Sequence, residues 1–376
     1  MKITSVKWFV AGDIRDFFFV VVDTDQGIRG LGEGGVTWRE AATAGFVEAL
    51  EPLLIGQDPM RTEHLWQRMF RSGFFPAGRV GCAAISAIDI ALWDIKAKAL
   101  NVPLYQLLGG KVRDRVACYA HIGHTDPAGL AAQAMEKAKQ GWRFVRFGLP
   151  EEGSTLEPTR AVLQAVDLFA AAREAVGPEM ELLIDVHTRI DPAHAILLCN
   201  RLEPFRPFFV EDPIRSENPT TLRKLARTVS VPIAMGEQFA TKWEFRAVIE
   251  EELIDYARID LCIVGGITEA LKITGWCETH YINLVPHNPL GPVSSAACLH
   301  LDLATSNFAV QECTWIPGSY LKDLFPVQVP YEPGYFLAPT APGLGIELDQ
   351  SALSKYPPLG KGSPSLHRSD GSFTNW

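Results

Sequence analysis

Six polar residues that could carry out chemistry follow short apolar runs in the middle of the chain. Five are carboxylic acids and one is a histidine: Asp185, Glu211, Glu237, Asp260, His287 and Glu312. Consecutive members of this series are separated by the length of one strand plus one helix. In a (β/α)₈ barrel the carboxyl ends of the strands meet on one face, where the active site lies. The sequence therefore predicts that these side chains converge on one pocket.

Three neighbouring acids in the series have the chemistry of a metal site. Asp185, Glu211 and Glu237 end successive predicted strands. A pocket of carboxylate oxygens suits a hard cation, and Mg²⁺ prefers near-octahedral oxygen coordination that leaves positions for water or substrate. A single acid at a strand end is commonly a helix cap, but three in successive units favour metal binding.

The next two members of the series could form a general base. Asp260 precedes His287 by one strand and one helix. A carboxylate partner orients an imidazole and raises its proton affinity. We therefore expect His287, held by Asp260, to accept a proton from a substrate.

A second histidine, His187, lies two residues after Asp185 and so on the same side of the predicted strand. It could protonate a leaving hydroxyl group, bind the metal or be structural. A base and an acid on two sides of a substrate fit an elimination reaction, whereas a racemase would use the same pair of histidines as two bases.

Three further residues are candidates for substrate binding. Arg146 ends the second predicted barrel strand; because guanidinium stays protonated, it could bind or polarise a substrate, or form an internal ion pair, but not act as a base. Asn288 follows His287 and could contact a hydroxyl group of a substrate. His121 and His124 are predicted at the pocket edge, and without a third nitrogen or sulfur ligand nearby they do not favour zinc.

The elements that must position these residues fall into two predicted domains. Alternating strands and helices over residues 114–324 predict an α/β fold of the TIM-like (β/α)₈ barrel type. Three strand-like runs followed by helices predict an α+β capping domain over residues 1–113, completed by the tail 325–376. The Gly12–Asp16 turn and the Ser72–Arg79 loop are where such a domain would close on a substrate.

Length and composition exclude several other classes of protein. The 376 residues accommodate one barrel and a second unit, and a net charge of −9 without a basic run argues against a nucleic-acid partner. No apolar run reaches membrane length, and the N-terminus lacks an apolar signal segment. Seven scattered cysteines without a C-x-x-C motif fit a reducing compartment. These features predict a cytoplasmic protein without a membrane partner.

Two segments of the N-terminal half, with the three acids, resemble a known family. Ala87–Lys96 and Leu107–Gly110, together with Asp185, Glu211 and Glu237, are similar to the mandelate racemase/muconate lactonising enzyme group of the enolase superfamily. The resemblance covers essentially the whole chain. It implies a barrel of seven strand–helix units plus one strand, a capping domain built from both termini, and one Mg²⁺ per subunit bound by the three acids.

Within that group, Asp185–Arg189 and Pro286–Pro292 resemble the acid-sugar dehydratases. The resemblance implies that His287 removes the C2 proton of an aldonate such as D-galactonate and that His187 assists loss of the 3-hydroxyl group, which gives a 2-keto-3-deoxy acid. It also implies that Glu312 hydrogen-bonds the substrate carboxylate. Superfamily sites of this kind use a Lys or His base beside Mg²⁺.

Several alternatives stay open from the sequence. The substrate could be D-mannonate or D-gluconate, the reaction could be the racemisation or epimerisation of a 2-hydroxy acid on the same site, or the protein could keep the metal site and lack catalysis. Where racemases and lactonising enzymes have a K-x-K motif, this chain has Arg146-Phe147-Gly148. The resemblance further implies a homo-oligomer, either a dimer or an octamer, with a small-molecule sugar acid as its partner.

Overall fold

The computed structural model describes residues 1–375, and its N-terminal sheet has both faces covered. The sheet is antiparallel, in the order β1 (Ile3–Gly12), β2 (Asp16–Thr24), β3 (Arg29–Gly34). Side chains of a strand alternate between faces, and β2 is buried on both. Phe18, Val20 and Val22 pack into a core shared with the helices of this region, whereas Phe17, Phe19 and Val21 join the core that includes the barrel helices. The central strand therefore links the two cores.

Four helices follow the sheet: α1 (Glu40–Leu54), α2 (Thr62–Arg71), α3 (Gly78–Ala99) and α4 (Leu104–Leu107). The longest, α3, is buried along most of its length because it lies between the sheet and the barrel. Close approach of β3 to α3 depends on glycine, since a Cβ atom at Gly32 would lie 1.7 Å from the carbonyl oxygen of Ala87.

Replacing Gly32 with alanine is expected to destabilise the protein by about 1–3 kcal/mol, because the added methyl group forces β3 away from α3. Urea unfolding measures the effect. Gly45, on the exposed face of α1, is the matched control: a Cβ there meets nothing within 4 Å, so Gly45→Ala should be neutral or stabilise by about 0.5–1 kcal/mol. Equal unfolding midpoints for the two variants would contradict this packing.

The barrel is a closed sheet of eight parallel strands. They are β4 (Arg115–His121), β5 (Phe144–Gly148), β6 (Glu181–Asp185), β7 (Phe209–Glu211), β8 (Ile233–Met235), β9 (Tyr256–Ala257), β10 (Asn283–Leu284) and β11 (Gln311–Cys313). Strands β4 to β10 pair in chain order, β11 pairs with β4, and a bridge from Leu284 to Phe308 completes the ring. The predicted TIM-like barrel with an α+β capping region is confirmed.

Helices connect successive barrel strands. They are α5 (Pro127–Lys139), α6 (Pro158–Val176), α7 (Pro192–Leu202), α8 (Leu222–Ala226), α9 (Thr241–Glu250), α10 (Gly266–Thr279) and α11 (Pro292–Ala304), with 3₁₀ turns at Glu203–Phe205 and Pro219–Thr221. No helix of the described residues is long and apolar enough to cross a membrane.

The barrel interior has an apolar layer, and the polar site lies directly above it. The layer contains Tyr119, Phe144, Leu183, Phe209, Ala234, Tyr256, Val285 and Val310, one residue from each strand or the segment around it. Because inward positions recur every second residue, the residues two further on face the mouth of the barrel. They are His121, Arg146, Asp185, Glu211, Arg258, His287 and Glu312. After β8 the chain bends at Gly236, where φ is 138°, and Glu237 faces the site instead.

The N-terminal region is anchored beside the mouth through Glu33 of β3. Its buried carboxylate accepts hydrogen bonds from the backbone N–H groups of Gly291 (2.6 Å) and Ser294 (2.9 Å) at the start of α11. Burial raises the pKa of Glu33 to about 8, although these two donors oppose the shift. The loop that carries His287 is thereby tied to the antiparallel sheet.

The tail after β11 contacts both parts of the chain. It forms β12 (Tyr331–Glu332), β13 (Tyr335–Leu337) and a 3₁₀ turn at Gln350–Lys355, and β13 pairs with the start of β4. Further on, the Leu359 N–H donates to Asp16 at the β1–β2 turn (2.7 Å). The predicted boundaries, 1–113 with 325–376 and 114–324, stay a prediction, and Trp376 lies outside the described residues.

Candidate active site

The carboxyl ends of the barrel strands open into a cavity of about 930 Å³. Residues predicted from the sequence form much of its wall: His121, Arg146, Asp185, His187, Glu237, His287 and Glu312. The N-terminal region adds Arg15, Val36–Arg39 and Arg79, and the tail adds Ser363 and Pro364. Barrel, cap and tail therefore all contribute to one pocket.

His287 and Asp260 form the predicted dyad. The Nδ1 atom of His287 lies 2.7 Å from Oδ2 of Asp260, and the other Asp260 oxygen accepts a hydrogen bond from the backbone N–H of Cys262 (2.7 Å). The Nε2 atom of His287 lies 3.5 Å from Glu237. Burial lowers the pKa of His287, but the charges of Glu237 and Asp260 outweigh burial and raise it to about 9.

His187 reaches the same pocket from the turn after β6. Its φ is 53°, and its backbone N–H donates to Oδ1 of Asp185 (2.6 Å). A positive φ is uncommon for a residue other than glycine and is frequent at functional sites. Burial lowers the pKa of His187 to about 4, so its imidazole is neutral at pH 7 before an anionic substrate arrives.

A buried group of carboxylates lies on the pocket floor. Oxygens of Glu211, Asp212 and Glu237 lie within 4.8 Å of one another, and Oε2 of Glu211 and Oδ2 of Asp212 have no hydrogen-bond partner among the described residues. Burial, with the neighbouring acids, raises the pKa of Asp212 well above its usual range, and burial raises that of Glu211 to about 7. Like charges at this distance in a low dielectric are compatible with a bound cation.

Asp185, the first of the three acids predicted to bind metal, is not part of that group. Its carboxylate forms an ion pair with the guanidinium of Arg146 from β5. Asp212, to which we assigned no role from the sequence, takes its place beside Glu211 and Glu237 because φ of 39° turns the chain directly after β7. The ligand set Asp185, Glu211 and Glu237 stays a prediction.

Arg146, His121 and Glu312 form a connected row along the wall. Arg146 Nη1 lies 3.4 Å from His121 Nδ1, and His121 Nε2 lies 2.8 Å from Oε1 of Glu312. Burial and the charge of Arg146 lower the pKa of His121 to about 4. Asn288 is buried behind this wall, where its backbone N–H donates to Glu312 and its side chain donates to Ser295. Its predicted contact with a substrate hydroxyl group stays untested.

Arg258 and three arginines around the pocket mouth were given no role from the sequence. Arg258 of the β9 end is completely buried between the acids. Arg258 lies two residues after the inward-facing Tyr256, so the alternation of inward- and outward-facing residues along a strand could have identified it. Around the mouth, Arg15 comes from the β1–β2 turn, Arg39 from the segment before α1 and Arg79 from the first turn of α3. Arg15 and Arg79 lie in segments that were predicted to close on a substrate, but these side chains were assigned no individual role.

Comparisons with known proteins agree on the family. A family model described as "Enolase C-terminal domain-like" matches residues 129–352, and one for the "Mandelate racemase / muconate lactonizing enzyme, N-terminal domain" matches residues 11–109. The D-galactonate dehydratases of Ralstonia pickettii and Ralstonia nicotianae are each 38% identical over 371 residues, which cover 96% of this chain and 96% of each relative.

Solved structures match the whole fold. An enolase from Pantoea ananatis with bound D-gluconate and Mg has a TM-score of 0.94 at 33% identity, and both chains are covered to 100%. An enolase from Agrobacterium radiobacter, a putative galactarate dehydratase with bound Na and L-malate, has a TM-score of 0.92 at 31% identity with the same coverage. The chain therefore belongs to the mandelate racemase/muconate lactonizing enzyme family of the enolase superfamily and is a hydro-lyase of that family.

Proposed function

We propose that the protein is a Mg²⁺-dependent dehydratase of acid sugars that acts on an aldonate such as D-galactonate. The observation that carries the proposal is the dyad of His287 and Asp260, 2.7 Å apart, in one pocket with a second histidine, His187. The proposed reaction breaks the C2–H and C3–O bonds, forms a C2=C3 double bond and releases water. The enol then tautomerises to a 2-keto-3-deoxy acid.

Asp185, Glu211 and Glu237 are the proposed ligands of one Mg²⁺ per subunit. The close approach of the buried oxygens of Glu211 and Glu237 supports a hard cation there. Such an ion supplies positive charge beside the substrate carboxylate and so makes the C2 hydrogen more acidic. Asp185 is paired with Arg146, so binding of a cation by Asp185 would compete with this ion pair and would make Arg146 more available to a substrate.

His287 is the proposed base. Because Nδ1 faces Asp260, Nε2 is the atom that accepts the C2 proton, and the carboxylate stabilises the imidazolium that results. Without a cation, Glu237 is the largest influence that raises the pKa of His287. If Glu237 held a cation, its charge would be offset and the neutral imidazole that a base requires would be favoured at His287.

His187 is the proposed acid for loss of the 3-hydroxyl group. It faces the same pocket and lies beside Asp185 in the chain. Its low pKa is caused first by burial, and a bound anionic substrate favours its protonated form. Glu312, joined to His121 on the wall, is proposed to hydrogen-bond the substrate carboxylate as negative charge develops on it.

The charge of the pocket mouth supports an anionic substrate. The protein carries a net charge of −9, but the upper wall is lined by Arg15, Arg39, Arg79, Arg189 and Arg215. Arg79, Arg189 and Arg215 form ion pairs with Glu244, Glu151 and Glu217. The positive charge offered to an anion therefore comes mainly from Arg15 and Arg39, and positive charge in a cleft favours anionic substrates there. The two Ralstonia relatives named for D-galactonate favour that aldonate, and the D-gluconate in the Pantoea structure keeps gluconate-type substrates as the alternative.

A library of acid sugars tests the proposal directly. The protein with Mg²⁺ is incubated with each aldonate and aldarate, and 2-keto-acid product is measured by a semicarbazide assay. We expect turnover of one or a few aldonates, with D-galactonate among them, and none by His287→Asn. No product from any acid sugar would overturn the proposed reaction. The cytoplasmic location and the dimeric or octameric assembly expected from the sequence stay predictions.

Replacement of His187 should separate removal of the C2 proton from loss of the 3-hydroxyl group. Replacing His187 with asparagine is expected to lower dehydration by about 10²–10⁴-fold while exchange of the C2 hydrogen with D₂O continues, because His287 still removes that proton. Proton NMR in D₂O measures both rates at once. Equal loss of exchange and dehydration would contradict the assignment of His187 as the acid for the hydroxyl group.

A further inference from the structure

A single arginine lies at the centre of the carboxylates below the pocket. Nη2 of Arg258 is 2.5 Å from Oε1 of Glu211, 2.8 Å from Oε2 of Glu312 and 3.5 Å from Oε2 of Glu237. Its side chain is completely buried. One guanidinium nitrogen thus contacts two proposed metal ligands and the residue proposed to bind the substrate carboxylate.

The same guanidinium also holds the strand end that carries the base. Nη1 of Arg258 donates to the carbonyl oxygens of Val285 (3.1 Å) and Pro286 (3.3 Å), the two residues directly before His287. The contacts of Arg258 therefore join the floor of the site to the position of the catalytic imidazole.

The positive charge of Arg258 has opposite effects on its neighbours: it stabilises the ionised carboxylates around it and repels a cation. A buried arginine stays protonated, and it favours the ionised form of every carboxylate around it. Charges of the same sign a few ångströms apart in a protein interior repel each other. A divalent cation bound to Glu211 and Glu237 would share both ligands with Arg258, which opposes its binding.

We infer that Arg258 is a positioning residue that weakens divalent-cation binding in this site while it holds Glu312 and the backbone before His287 in the geometry that the reaction needs. The inference rests on the proposed function, since it places the cation at Glu211 and Glu237. It predicts that removal of this charge tightens metal binding and slows turnover. An arginine that merely fills the barrel would, on removal, loosen the site and weaken metal binding.

Arg258→Gln tests the inference, because glutamine keeps a donor for the two carbonyl groups and removes the charge; Arg258→Lys is the matched control that keeps the charge. The metal is stripped with EDTA, and binding of Mg²⁺ and Mn²⁺ is measured by titration calorimetry. We expect Arg258→Gln to bind each ion about tenfold more tightly, with kcat for the acid sugar lowered about 10–100-fold. We expect Arg258→Lys to keep the wild-type metal affinity within about threefold.

Weaker or unchanged metal binding by a folded Arg258→Gln protein would overturn the inference and leave the proposed function standing. A wild-type protein that binds no divalent cation would instead overturn the proposed metal site. If the single variant does not fold, the double variant with Glu312→Gln removes one charge of each sign and restores the local balance. The double variant is compared with Glu312→Gln alone, so that the two proteins differ only in the charge of Arg258. It should bind Mg²⁺ more tightly than Glu312→Gln, and failure to do so overturns the inference equally.

Discussion

Asparagine in place of His287 is expected to lower kcat for an acid sugar by about 10²–10⁴-fold, the range that a positioned general base contributes, and to stop exchange of the C2 hydrogen with solvent. Asparagine keeps a polar side chain but cannot accept the proton. Steady-state formation of 2-keto acid and NMR in D₂O measure the two effects. The expected loss follows from the geometry of the dyad: Nδ1 of His287 faces Asp260, so Nε2 is the atom available to accept the proton.

Two further variants show whether the loss of activity in His287→Asn depends on the His287–Asp260 dyad. Asp260→Asn leaves the imidazole in place and removes the carboxylate 2.7 Å from it, so we expect a smaller loss than in His287→Asn. His64, exposed on α2, is the matched control, and His64→Asn should leave kcat unchanged. Exchange at C2 at the wild-type rate in His287→Asn would contradict the assignment of the base.

Removal of the proposed Mg²⁺ is the second change with a large expected effect. Treatment with EDTA should abolish dehydration and added Mg²⁺ should restore it, while Glu211→Gln should lower kcat/KM roughly 10³-fold or more, since charge stabilisation by a metal is worth several kcal/mol. Glutamine preserves the shape of Glu211 and removes the anionic oxygens that a hard cation needs. Activity assays with a Mg²⁺ titration measure both effects.

Glu251 provides the control for this substitution. It is a surface residue of the α9 end that pairs with Arg223, so Glu251→Gln should retain wild-type activity and Mg²⁺ dependence. Full activity of the wild-type protein in excess EDTA would contradict the role of the acidic floor.

The barrel could be predicted because its pattern is local and repeated. Except for β8, each strand places an apolar residue in the inner layer and a polar residue two positions later at the mouth, as in Leu183 and Asp185 or Val285 and His287. The same alternation identifies Arg258 above Tyr256. We missed it because we took Asp260, the last polar residue of the run, as the inward position at the strand end.

Other parts of the site depend on contacts between segments that no local sequence pattern indicates. Asp212 joins the acidic floor because of a left-handed turn after β7, and Asp185 pairs with Arg146 because two strands lie side by side. The mouth is formed by the Arg15 turn and by Ser363 of the tail. These segments are far apart in sequence and meet only when the cap folds onto the barrel.

The reaction of D-galactonate with the Mg²⁺-loaded protein in D₂O, followed by proton NMR, tests the central claim most directly. The acid sugar with the highest turnover in the library replaces D-galactonate if the two differ. We predict loss of the C2 hydrogen signal together with formation of a 2-keto-3-deoxy acid that carries deuterium at C3. Exchange or inversion at C2 without loss of water would contradict the dehydratase and favour a racemase or epimerase on the same residues.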